Sequence, residues 1–145
     1  MYFLKLALLL FWAAWFSIVA VTNTCSALKA FGVLGPSWRF ASRNYPMVMK
    51  AVSIYDAPPW LPKLLFLGVV AWQALAAALF WYALAASGAA GIVDMAAVNL
   101  ACGAGILLWG AFMLADEITI KYAMEQPHEL LFIAQIASLL VLHLI

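Results

Sequence analysis

The stretch IVDMAAVNLACGAGILLWGAFMLADEITIKY, Ile92 to Tyr122, decides how this chain folds. Between Asp94 and Asp116 it carries no charge. At 1.5 Å per residue, those roughly 21 positions extend about 30 Å, the thickness of a bilayer's hydrocarbon core. On a 3.6-residue helix, Asn99, Gly103, Ile106, Gly110, Met113 and Glu117 share one narrow stripe. An amide, two glycines and a terminal carboxylate have no use against lipid, so this stripe predicts a helix–helix contact through Asn99, Gly103, Gly110 and Glu117.

The rest of the chain agrees with that solvent. The composition is 69% hydrophobic and 9% charged, with mean hydropathy +1.07. Soluble domains average about 45–50% apolar and about 25% charged, so most of these 145 residues are expected in lipid. A net charge of +1 gives nucleic acid nothing to hold. Cys25 and Cys102 are the only cysteines; their spacing dictates no pairing, and CxxC redox chemistry is disfavoured.

Four spans are predicted, at about 3–23, 62–86, 92–122 and 128–145, with an interfacial loop at 25–61, all in one membrane domain. The first apolar run, Leu6 to Ala20, exceeds the usual core of a signal peptide and no small-x-small site follows it closely. It reads as an uncleaved span. Asn44 and Pro46 open a short helix in the loop, and Asp56-Ala57-Pro58-Pro59 stops it. Pro62 suits the first turn of span two, and Ser87 to Gly91 is a tight connection that makes spans two and three antiparallel neighbours. Ala123 to Pro127 reads as a turn into the last span. Lys29, Arg39, Arg43, Lys50 and Lys63 belong to or flank the first loop. The positive-inside rule then places that loop in the cytoplasm and both termini outside. The fold class is all-α: an integral membrane four-helix bundle with one cytoplasmic interfacial loop or short helix.

Charged and aromatic residues supply the candidate sites. Asp116, Glu117, Glu125, Glu129 and His128 form an acidic cluster at the end of span three, where Glu117 has Lys121 four residues on. Glu125 and His128 have the Glu-x-x-His spacing of di-iron bundles, which need two such pairs and two further glutamates. One pair is present, with Pro127 inside it, leaving Glu117, Glu125 and His128 as the set for a mononuclear metal site. His128 and His143 lie about 22 Å apart on one helix, so a single haem cannot sit between them. Each could serve as one ligand to a pigment. Trp12, Trp15, Trp72 and Trp109 fall nearer mid-span than indoles prefer. Packing explains them, as would contact with a partner or a flat lipophilic molecule, for which Trp72 and Trp109 are the candidates beside His128 and His143. The interior polar set is Gln73, Asn99, Gln135, Ser138 and the Cys102 thiol, and it lacks the deep ionisable residue that proton-coupled transport requires.

Asn44, Tyr45, Val48, Ser53 and Ile54, with Asp56 one residue late, then Glu117 and Tyr122, follow an Asn-aromatic…Val…Ser-Met-Asp run and an acidic signature closing a third span. In this the chain resembles a bacterial family of predicted small four-span integral membrane proteins of unknown function. Ala115, Asp116 and Ile118 replace the glycines and tryptophan of that signature. The resemblance implies the four-span fold and a special role for Glu117, and no activity.

These readings predict an accessory, non-catalytic subunit of a larger membrane complex of respiratory or photosynthetic type in the bacterial inner membrane. Its expected partners are other membrane subunits and lipids, with lipid, quinone or pigment bound at subunit contacts. The alternatives are a small stand-alone channel or transporter, and a membrane redox or metal protein using Glu117, Glu125 and His128.

Overall fold

In a computed structural model, residues 1–120 and 122–144 are described, with the side chains of 122–124 left aside. All of the regular structure among them is helical. Helix α1 is Tyr2–Ala30, α2 Asn44–Val52, α3 Trp60–Ala90, α4 Met95–Thr119 and α5 Tyr122–Leu144, with a 3₁₀ turn at Ser53–Tyr55. Every long helix, α1, α3, α4 and α5, is long and apolar enough to cross a membrane.

The helix ends differ from those predicted, each for a local reason. Helix α1 does not stop near residue 23 but continues to Ala30. The hydroxyls along its second half are satisfied by the helix itself. Ser17, Thr22 and Thr24 donate their hydroxyls to the carbonyls of Ala13, Val19 and Ala20. Helix α4 starts at Met95 because the Asp94 carboxylate accepts from the backbone N–H groups of Ala96 and Ala97, both at 3.1 Å. Gly91 closes α3 at φ 68°, and Ile120 closes α4 at φ 54°, a left-handed position that a β-branched residue rarely takes. The expected turn at Ala123 to Pro127 is instead part of α5, with Pro127 inside the helix at the cost of one backbone bond. Glu125 and His128 are therefore helical neighbours.

The long helices pack α1 on α3, α3 on α4 and α4 on α5, with a thinner contact returning from α5 to α1. Rings fill the middle. Phe16 stacks on Phe80 (centroids 5.7 Å) and on Trp109 (5.7 Å), and Trp12 lies over Phe80 at 6.4 Å. Ala13, Ala76, Ala83 and Ala101 surround them, all fully buried, and their small side chains let the helices approach. Segment 31–43 folds back along the end of α1, with Ser42 N–H on the Thr22 carbonyl, and α2 packs on α1 and α3. Tyr45 wedges between Phe31 and Phe66, edge-on to both.

Candidate functional site

Along the inner face of α5, polar side chains meet partners on α4 and α1 in a ladder that runs most of the helix length. At the end next to the α4–α5 connection, His128 Nδ1 lies 2.5 Å from Asp116 Oδ2. The Phe112 ring covers the imidazole, with centroids 4.8 Å apart. Two turns on, Gln135 Oε1 accepts from Trp109 Nε1 at 2.6 Å, and then Ser138 Oγ accepts from Trp12 Nε1 at 3.0 Å. At the far end, Lys5 Nζ donates to the Leu142 carbonyl and His143 Nε2 sits 2.7 Å from Asn99 Oδ1. The rungs 116–128, 109–135 and 99–143 step in opposite directions, which makes α4 and α5 antiparallel and fixes their register.

Gln135 is fully buried, and the indole N–H can only donate. Its carboxamide must therefore point oxygen toward Trp109. The Nε2 group is left as the one buried side-chain polar atom without a partner among the described residues. It presses on Gly105, where an added Cβ would come 2.6 Å from Gln135 Cδ. A second polar clasp joins α1 to α3. Asn23 Nδ2 donates to Gln73 Oε1 at 2.8 Å, while Asn23 Oδ1 accepts from Ser42 Oγ and Asn44 Nδ2.

The stripe predicted for contact is rotated about 100°, one residue, from the stripe that is buried. Val98, Cys102, Gly105, Trp109 and Asp116 face inward. Gly103 has nothing within 4 Å of where a Cβ would stand, and Gly110 meets Phe132 at an ordinary 3.7 Å. Asn99 and Glu117 are exposed, though Asn99 still reaches α5 through His143. The close glycine is thus Gly105, and the carboxylate held inside is Asp116. Their 11-residue separation, with Trp109 between, was the available signal for that face. Lys121, the expected partner of Glu117, and residue 122's side chain lie outside the described residues.

Glu117, Glu125 and His128 do not come together as a ligand set. Among the described residues no three His, Cys, Asp or Glu side chains are grouped to hold a metal. Adjacent helix positions diverge by about 100°, which sends Glu117 outward while Asp116 turns in. Trp109 is packed on Phe16 and Phe112, whereas Trp72 is partly exposed and donates to the Ala104 carbonyl. Beside Trp72 runs a shallow apolar groove of about 370 Å³ between α3 and α4, floored by Gly103 and Ala104. Both cysteines are free thiols. Asn23, at the expected end of the first span and so absent from the predicted interior polar set, is buried because α1 continues past it.

In chemical terms, Asp116 engages Nδ1 of His128 and leaves Nε2 outside that contact, on a side chain about 20% exposed. Of the other interior amides, Asn23 is joined to Gln73, and Gln135 is joined to Trp109 through its oxygen alone. Compared with protein-family models, curated proteins and solved structures, the chain matches none.

Proposed function

We propose that this chain is an integral membrane four-helix bundle, in the bacterial inner membrane, acting as an accessory, non-catalytic subunit of a larger membrane complex. The observation that carries this reading is the contrast between a bonded interior and bare apolar outer faces. Interior indoles and amides engage one another across helices. Outside, Leu10 and Ile18 on α1, Leu75 on α3, Leu107 and Leu114 on α4, and Ile133 and Leu140 on α5 stand exposed. Only 11% of the apolar window of α5 is buried, against 39% for α4. A helix so thinly covered is suited to contact with acyl chains and with another subunit at once. The Lys and Arg residues in and beside the α1–α3 connection support, by the positive-inside rule, a cytoplasmic position for it.

Extraction in mild detergent followed by native mass measurement tests this reading. The expected result is an assembly much heavier than 15.8 kDa that contains other membrane subunits. A monomer or homo-oligomer under the same conditions overturns it.

The Asp116–His128 pair favours one other reading. A carboxylate on Nδ1 orients an imidazole to bind a metal or pigment through Nε2. An absorption band in the purified protein that shifts in His128→Ala would establish it, and a colourless, metal-free preparation would remove it.

A further inference from the structure

We infer that the end of the molecule formed by the α1–α3 connection is a binding surface for anionic phospholipid headgroups. The inference rests on the membrane reading above and adds a ligand class to it. Five of the chain's seven Lys and Arg residues, Lys29, Arg39, Arg43, Lys50 and Lys63, fall in or beside this connection, with Asp56 the one acid among them. Arg39, Arg43, Lys50 and Lys63 are exposed, and Lys29 is half-buried with its ammonium on the Trp38 carbonyl at 2.8 Å. The one carboxylate within salt-bridge distance of a basic side chain among the described residues is Asp116, on His128, so among them no acid pairs with these cations.

The platform beneath the cations is ordered. Ser42 N–H donates to the Thr22 carbonyl at 3.0 Å, and Ser42 and Asn44 both donate to Asn23. Tyr45 is buried against Phe66. Interleaved with the cations are exposed apolar side chains: Trp38, Phe40, Met47, Met49, Ile54 and Trp60. An acidic protein partner would match the charges and leave those rings and thioethers without purpose. A headgroup layer uses both, since indoles settle at its boundary while guanidinium and ammonium groups reach phosphate. The acids at the same end, Asp116, Glu117, Glu125 and Glu129, belong to α4 and α5. Tyr55, whose hydroxyl donates to the Ile118 carbonyl, joins the two halves. The anionic lipid is therefore assigned to the α1–α3 side alone.

The test uses the full chain in vesicles of phosphatidylcholine and phosphatidylglycerol, with spin-labelled lipids as probes. Carbonate extraction first checks insertion. A chain released by carbonate overturns the membrane reading, and this inference with it. For an inserted chain, motionally restricted phosphatidylglycerol should exceed phosphatidylcholine by at least about threefold. The variant Arg39→Gln/Arg43→Gln/Lys50→Gln/Lys63→Gln should bring the ratio to about one, and Arg39→Lys/Arg43→Lys should keep it, because the attraction follows charge. High salt should lower the wild-type ratio, and millimolar inorganic phosphate at constant ionic strength should leave it unchanged. An inserted wild-type chain with equal affinity for both lipids overturns the assignment. So does loss of selectivity to inorganic phosphate, or displacement of the lipid by a polyglutamate peptide.

Discussion

Helices α1 and α3 meet through a stack of rings and methyl groups with polar contacts such as Asn23–Gln73 and Trp81–Ser17 beside it, while α4 and α5 meet chiefly along a ladder of hydrogen bonds. In the first pair Phe16 and Phe80 lie nearly parallel, 14° apart, among fully buried alanines. In the second, the rungs Asp116–His128, Trp109–Gln135 and Asn99–His143 set the register, and most of α5 stays uncovered. Lipid is as apolar as leucine, so in a bilayer no hydrophobic gain selects one helix pairing over another. Close packing collects many small dispersion contacts and tolerates the loss of none of its large rings. Interhelical hydrogen bonds in membranes average about 0.6 kcal/mol and reach about 1.7. Helix α5 is accordingly placed largely by a few directional contacts, whereas α1 and α3 add a close-packed ring stack to theirs.

Substitutions can break this comparison at graded cost, read as unfolding free energy in mixed micelles. The largest effect is expected at Phe16, whose ring touches Phe80 and Trp109; Phe16→Ala should cost about 3 kcal/mol, and a cost under about 1 would deny that the ring stack holds α1 to α3. Gly105→Ala should follow at about 2 kcal/mol, because the new methyl collides with the Gln135 carboxamide. Spin labels on the outer faces of α4 and α5 should report a widened separation there. Asp116→Ala should cost about 1.5 kcal/mol by stranding His128, and the α4–α5 label distance should broaden while α1–α3 stays fixed. Ile120→Gly should add about 1 kcal/mol of stability, since glycine takes φ 54° without the penalty of a branched Cβ. The smallest effect belongs to the Trp109–Gln135 bond. A double-mutant cycle with Trp109→Phe and Gln135→Leu should give a coupling of about 0.6 kcal/mol, and zero coupling would remove that rung from the ladder.

Parts of the fold were plain in the residues. Pro62 in the first turn of α3 and Gly91 as its left-handed stop follow from backbone chemistry that acts within a few residues, although the connection expected at Ser87 to Gly91 falls at 91–94, Ser87 to Ala90 being the last turn of α3. The candidate site was legible in its types more than in its identities. His128, Gln135, Ser138 and Trp109 were visible as odd residues in apolar helices, yet their partners were not. Glu117 and Gly103 drew attention where Asp116 and Gly105 hold the contacts. A one-residue error in choosing a helix face costs nothing in hydropathy when leucine and alanine lie all round. In a soluble protein the polar face would have corrected it; in an apolar helix nothing on the surface marks the inside.

Apolar length and composition by themselves determined that the chain is helical and that four of its helices are long and apolar enough to cross a membrane, because runs of about 20 apolar residues without strand-like alternation pair their backbone groups locally, within a helix. Which face of α4 turns inward, that Asn23 meets Gln73, and that His128 finds Asp116 were decided only in three dimensions. The reason is one of range: helix formation is governed by neighbours four residues away, whereas a hydrogen bond between helices depends on a rotation and a register that only packing sets.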